Sequence, residues 1–134
     1  MIIKFPFEKK RSPVFGTVYR PVVSVLFWSR KISGWEQIPM IVDTGADYTL
    51  LPSYLSHNLG VNLKKDCLPY TTQGVGGKET VRLLKSWRVK IDQKELFIPL
   101  GFLDKDNIPP LLGRQGFLEI LKMTMENHVT TFEF

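Results

Sequence analysis

Met40-Ile41-Val42-Asp43-Thr44-Gly45-Ala46-Asp47 runs an apolar, strand-like segment straight into a carboxylate, a hydroxyl and a glycine. The chain leaves this point through Tyr48-Thr49-Leu50-Leu51, which is again strand-like. A carboxylate at a turn between two buried strands is costly unless it is paired or hydrogen-bonded. Asp-Thr-Gly alone carries little weight, because average residue usage places it by chance in roughly one chain in thirty of this length. Its meaning depends on what surrounds it.

Working outward, Pro21–Trp28 and Trp35–Val42 read as strands rich in Val, Ile, Phe and Trp, with Ser33-Gly34 marking the turn between them. Downstream, Gln73-Gly74-Val75-Gly76-Gly77 forms a glycine-rich apex that suits a hairpin turn, and no Gly-Lys-Ser/Thr follows it to make a phosphate loop. It leads into Val81–Ile91, where Val81, Leu83, Trp87, Val89 and Ile91 alternate with Arg82, Ser86, Arg88 and Lys90. That period of two predicts a half-buried strand, with Lys85 the single exception on the apolar face. Asp92-Gln93 is a turn, and Glu95–Leu103 returns as the second strand of the hairpin. A further apolar run, Leu111-Leu112, ends in Gly113-Arg114. Short helices are expected from Pro52 to Asn58, with Gly60 beyond the end, and from Arg114 to Lys122, where Phe117, Leu118 and Leu121 share a face. Val129–Phe134 alternates again as a closing strand. The fold class is all-β, a barrel-like sheet with one short C-terminal helix.

A length of 134 residues matches a single domain spanning 1–134. Hydrophobic residues at 43% and charged residues at 23% exclude a disordered or fibrous chain. One cysteine excludes an internal disulfide framework. The longest stretch without a charged residue, Tyr48 to Leu63, contains Pro52, His57 and Asn58 and is unsuited to hydrocarbon. The N-terminus reaches Lys4 and Glu8-Lys9-Lys10-Arg11 without an apolar signal segment, so a cytoplasmic protein without membrane association is expected. The net charge of +5 is scattered and reads as solvated faces rather than a nucleic-acid surface, so no nucleic-acid partner is expected.

In this order and at these spacings, Ile-Val-Asp-Thr-Gly-Ala-Asp, Gly-Val-Gly-Gly and Leu-Leu-Gly-Arg resemble the retropepsin family, the single-domain aspartic proteases typified by retroviral proteases. The resemblance covers about Arg20 to Phe134. It implies a closed barrel-like acid-protease fold with a flap hairpin, an aspartic endopeptidase activity on peptide or protein substrates, and neither metal nor cofactor. Asp43, Thr44 and Gly45 would form the catalytic turn. Two carboxylates must share one water, one as general base and one as general acid, and a single Asp-Thr-Gly then requires Asp43 from a second copy. A homodimer with Asp43 beside its two-fold axis is expected.

The same resemblance implies that Thr44 ties the two turns together and that the Gly45 carbonyl meets the substrate main chain. Asp47 would bind substrate backbone and pair with Arg114. Gly74, Val75, Gly76 and Gly77 would close as a flap. Leu50, Ile108, Pro109 and Leu111 are expected as subsite walls, with Ala46, Leu112, Gly113 and Arg114 supporting the site. Thr-Phe-Glu-Phe at the end is similar to the C-terminal strand of a dimer-interface sheet. Alanine at position 46 removes a hydroxyl that many aspartic proteases aim at the catalytic carboxylate, so a working pH nearer neutral is expected.

Tyr48 and Gln73 depart from the retroviral pattern, and Ile2–Tyr19 resembles it only loosely. The fold also accommodates a catalytically silent dimerisation or peptide-binding module. Cys67 with His57 or His128 has no motif of a thiol protease, nor do these residues have the spacing of a zinc site. Trp28, Trp35 and Trp87 read as core or interface rather than base-stacking platforms.

Overall fold

Alternating apolar residues build the frame. The computed structural model describes residues 1–74 and 77–134; Val75 and Gly76 of the expected flap lie outside the described residues. The chain opens with β1 (Ile2–Pro6), β2 (Glu8–Ser12) and β3 (Gly16–Arg20). It continues through β4 (Val22–Ser29), β5 (Gly34–Val42) and β6 (Thr49–Pro52), then two short helices, α1 (Leu55–Leu59) and α2 (Leu63–Asp66). The long strands β7 (Leu68–Gly74), β8 (Gly77–Ile91) and β9 (Lys94–Leu103) follow, then β10 (Leu111–Leu112), β11 (Lys122–Glu126) and β12 (Val129–Glu133).

Seven strands form one sheet in the order β4-β5-β10-β6-β9-β8-β7, and β4 also pairs with β8, so the sheet curls back on itself. Closure sits at Leu26 opposite Lys90 and Phe27 opposite Val89. Inside are Val23, Val25 and Phe27 of β4, Met40 of β5, and Ile98, Leu100 and Phe102 of β9. The barrel-like, mainly β architecture expected from the sequence is what the chain adopts.

A second sheet holds the two ends of the chain in the order β1-β12-β11. Phe132 of β12 is fully buried in the main core, where its ring meets Phe5 and Phe117 edge-on at 5.9 and 6.0 Å. β12 is the middle strand, so both of its hydrogen-bonding edges are used within the chain. Only the outer edges of β1 and β11 remain open in this sheet.

Two kinds of expectation change, those for the short helices and that for β8. The predicted helix Arg114–Lys122 is instead a series of turns ending in one 3-10 turn, Leu118–Ile120, and Lys122 already starts β11. The segment starts tied to the Asp43 turn, with Arg114 N–H donating to the Ala46 carbonyl (3.0 Å) and Gln115 N–H to that of Asp47 (2.9 Å). Gly116 then takes a φ of 71°, which no right-handed helix contains. The helix expected from Pro52 to Asn58 begins later, at Leu55, because Pro52 ends β6; Gly60 caps it in the left-handed region as expected.

The second change concerns β8. Leu84 and Trp87, three residues apart, lie opposite Leu100 and Ile98, which are two apart in β9. Lys85 and Ser86 therefore share the position opposite Pro99, a residue with no N–H to give the ladder. This bulge switches the apolar row from one side of the sheet to the other. Trp87, Val89 and Ile91 pack on the main core, whereas Val81, although buried, stands outside it.

The tightest point of the fold is the passage of β10 between β5 and β6. Leu111 pairs with Ile41 in parallel and with Leu50 in antiparallel fashion. A Cβ on Gly113 would lie 2.3 Å from the Tyr48 carbonyl carbon and oxygen, so only glycine allows this approach. Gly113→Ala is expected to lower unfolding free energy by about 3 kcal/mol or more, read from urea unfolding. The Gly113 N–H donates to the buried Thr49 Oγ1 at 3.2 Å. Thr49→Val strands that donor and is expected to remove about 1–3 kcal/mol in the same measurement. Unchanged urea midpoints for both variants would show that this crossing does not limit stability.

Candidate active site

The site begins where β5 ends. Asp43 N–H donates to the Leu112 carbonyl at 2.9 Å, so the parallel pairing with β10 holds the backbone of Asp43 in place. The chain then turns. Gly45 N–H donates to Asp43 Oδ1 at 3.0 Å, and Ala46 N–H to the Asp43 carbonyl at 3.2 Å. The carboxylate thus helps make the turn that presents it. A side chain at Gly45 would crowd it, since an added Cβ lies 3.3 Å from Asp43 Oδ1.

Arg114, the residue after the Gly113 crossing, reaches back over the turn. Its Nη1 donates to the Thr44 carbonyl at 2.7 Å and its Nη2 to Asp47 Oδ1 at 2.6 Å. The Asp47 side chain is 71% exposed, so the pair adds at most about 1 kcal/mol of stability. Its effect is positional. The guanidinium that lies near the turn is committed to Asp47 and Thr44, and among the described residues no cation pairs with Asp43.

Two cavities lie beside this turn. The smaller, about 200 Å³, is lined by Gly45, Ala46, Leu50, Val81 and Leu103, with Glu79 at its edge. Glu79 forms an ion pair with Lys105. The larger, about 490 Å³, is lined by Leu68, Tyr70, Leu83, Lys85, Pro99 and Gln115. Asp47, Tyr48 and Thr72 border both. Gly101 makes room between them: a Cβ there would lie 2.9 Å from Leu50, Tyr48 and Val81 alike. Burial, with smaller contributions from Tyr70 and Asp47, pushes the Tyr48 hydroxyl above the usual tyrosine range and keeps it protonated.

Most residues singled out in the sequence therefore meet at one place. Asp43, Thr44, Gly45, Ala46 and Asp47 share the turn with Leu112, Gly113 and Arg114, and Leu50 faces the smaller cavity. Leu111 lies between Ile41 and Leu50 as a strand partner. Ile108 and Pro109 sit in the loop before β10 and line neither of these two cavities. Gly74 and Gly77 pair at the ends of β7 and β8. The cavity residues not foreseen are Leu68, Tyr70, Thr72, Glu79, Val81, Leu83, Leu84, Lys85, Pro99, Leu103 and Gln115. Lys85, the exception on an otherwise apolar row read as a half-buried strand, is the signal that could have found part of this region.

The remaining candidates separate. Burial pushes the Cys67 thiol up, away from the reactive thiolate. His57 lies 2.8 Å from Lys31 Nζ, and His128 stacks on Tyr19 at 3.9 Å. Among the described residues, no group of three or more His, Cys, Asp or Glu side chains is placed to hold a metal. The Arg88 guanidinium lies over Trp28 and Trp35 at 5.0 and 4.9 Å, and Trp87 Nε1 donates to the Trp28 carbonyl at 3.0 Å. Among the described residues no helix is long and apolar enough to cross a membrane.

Comparison with known proteins agrees with this layout. The chain is similar in structure to a retropepsin-like aspartic protease from Rickettsia conorii, with a TM-score of 0.71 and 19% identity over 98% of each chain. That likeness concerns the fold, and no curated protein sequence matches. A family model described as aspartyl protease matches residues 29–115, which include the Asp43 turn, both long hairpin strands and the Gly113 crossing. The chain belongs to the aspartyl protease family and has the retropepsin-like fold.

Proposed function

We propose that this chain is an aspartic endopeptidase that acts as a homodimer, one domain of residues 1–134 per subunit. The observation that carries the reading is the state of Asp43. Its backbone is clamped by β10 and its carboxylate caps the turn, while Arg114 is occupied by Asp47 and Thr44. An acid held this firmly, and left without an ion-paired cation among the described residues, is available for proton transfer.

One carboxylate is half of the required chemistry. The attacking water loses a proton to one Asp43 while the other, protonated, donates to the carbonyl oxygen of the scissile bond. Asp47 has one carboxylate oxygen engaged by Arg114. In this reading the second acid is Asp43 of another copy, since the chain has a single Asp-Thr-Gly. In this arrangement Thr44 links the two turns and Gly45 offers its carbonyl to the substrate main chain. Leu50 walls the smaller cavity and Leu111 backs it. Pairing between copies through the end sheet would use β1 or β11, since β12 is enclosed. A cytoplasmic setting goes with the near-neutral working pH that Ala46 implies.

Asp43→Asn is expected to lower Asp43-dependent cleavage of a diverse peptide mixture by at least about a thousandfold. Sedimentation should find the variant still dimeric. A dimeric wild type that binds peptides but cuts none would reassign the chain as a peptide-binding module. A monomer that cleaves would remove the shared-acid mechanism. Ala46→Ser restores a hydroxyl near the turn, favours the ionised carboxylate, and is expected to move the acid limb of the pH–rate profile to lower pH. An unmoved limb would show that position 46 does not tune the acid.

A further inference from the structure

Lys85 stood out in the sequence as the one polar residue on an apolar face, and the bulge explains where it goes. Before the bulge, Val81 and Leu83 form one row along β8, Lys85 follows within the bulge itself, and each of the three lines a cavity beside the Asp43 turn. After it, the same sequence parity turns into the core as Trp87, Val89 and Ile91. Lys85 thus stands where the cleft-facing row ends, and among the described residues it has no carboxylate partner.

The chemistry of the larger cavity is one-sided. Its walls carry the hydroxyls of Tyr48, Tyr70 and Thr72, the Gln115 amide and the Lys85 ammonium. Among the described residues the only acid lining it is Asp47, whose charge is answered by Arg114. Leu68, Tyr70 and Leu83 supply apolar area for the stem of a long side chain, and Leu68 and Tyr70 are 57% and 55% exposed. The smaller cavity beyond Tyr48 differs: it is walled by Leu50, Val81 and Leu103, and beside the shared Asp47 it carries Glu79, which is paired with Lys105.

Resting on the peptidase reading above, we propose that the larger cavity is a specificity subsite for an acidic substrate side chain, with Lys85 as its selecting residue. Side chains two apart on an extended peptide project to the same side roughly 6.6–6.8 Å from each other. Two adjacent cavities separated by one tyrosine suit that spacing. A small apolar residue enters the cavity by Leu50, and a glutamate two positions farther from the scissile bond enters the one by Lys85. Its methylenes lie on Leu83 and Tyr48, and its carboxylate meets the lysine.

The test uses peptides identical except for Glu, Gln or Lys at that outer position, scanned along the peptide to find the register. Cleavage is measured with wild type and Lys85→Glu, and equilibrium binding of the same peptides with Asp43→Asn and the double variant Asp43→Asn/Lys85→Glu. Wild type is expected to prefer Glu over Lys, and Lys85→Glu to shift that ratio by about five- to tenfold toward Lys. Cleavage that depends on Asp43 but shows the same Glu-to-Lys ratio in both enzymes overturns the subsite and leaves the peptidase intact. Peptides that bind with a Lys85-dependent preference but are never cut support the subsite and overturn the peptidase. Neither cleavage nor Lys85-dependent binding overturns both.

Discussion

The approach of the Gly113 backbone to Tyr48 and Thr49 is the contact on which the rest of the molecule hangs. It threads β10 between β5 and β6, and the three strands then share one hydrogen-bonding system. From it follow the Leu112 carbonyl that holds Asp43, the bonds from Arg114 and Gln115 to the turn, and the reach of the Arg114 side chain. A methyl group at position 113 has no space there. Close packing leaves such a crossing no gradual relaxation, because the atoms nearest to an added Cβ are backbone atoms of Tyr48 and Thr49. The stability of the sheet and the geometry of the carboxylate are therefore the same property.

A second constraint acts from the opposite wall. The bulge opposite Pro99 lets one strand serve two compartments. Its first half lines the cleft and its second half seals the barrel, and only an extra residue makes the change of side possible. Without it, the row that begins with Val81 would carry Trp87, Val89 and Ile91 to the cleft side and out of the core. The lysine is tolerated, and available, because the sheet is irregular at that place.

Family membership and fold describe what the chain resembles, while chemistry depends on the local arrangement. Here an acid without a paired cation, a committed arginine and two unlike cavities converge on one turn. The wall between those cavities is Tyr48, the position that departs from the retroviral pattern. Substrate choice is where this chain has room to differ from others of its fold.

Much of this was legible in the residues. Strand periodicity located β4, β5, β8 and β9 to within a few residues, since alternation of apolar groups is dictated by the side to which each Cβ points. The Asp43 turn and the Leu-Leu-Gly-Arg segment were singled out through the family resemblance that their residues carry, and the close approach at Gly113 is why glycine stands there. The segment after Arg114 was misread, since its apolar spacing is helical while Gly116 takes a left-handed φ that no right-handed helix contains. The bulge was also hidden, because sequence parity continues unbroken through a residue that pairs with nothing. The sequence by itself determined the strands, the acid and the glycines, which are local consequences of side-chain size and polarity. Tertiary structure alone decided which face each half of β8 presents, where Arg114 spends its charge and which residues meet Tyr48. Those depend on hydrogen-bond partners distant in the chain, which local pattern does not encode.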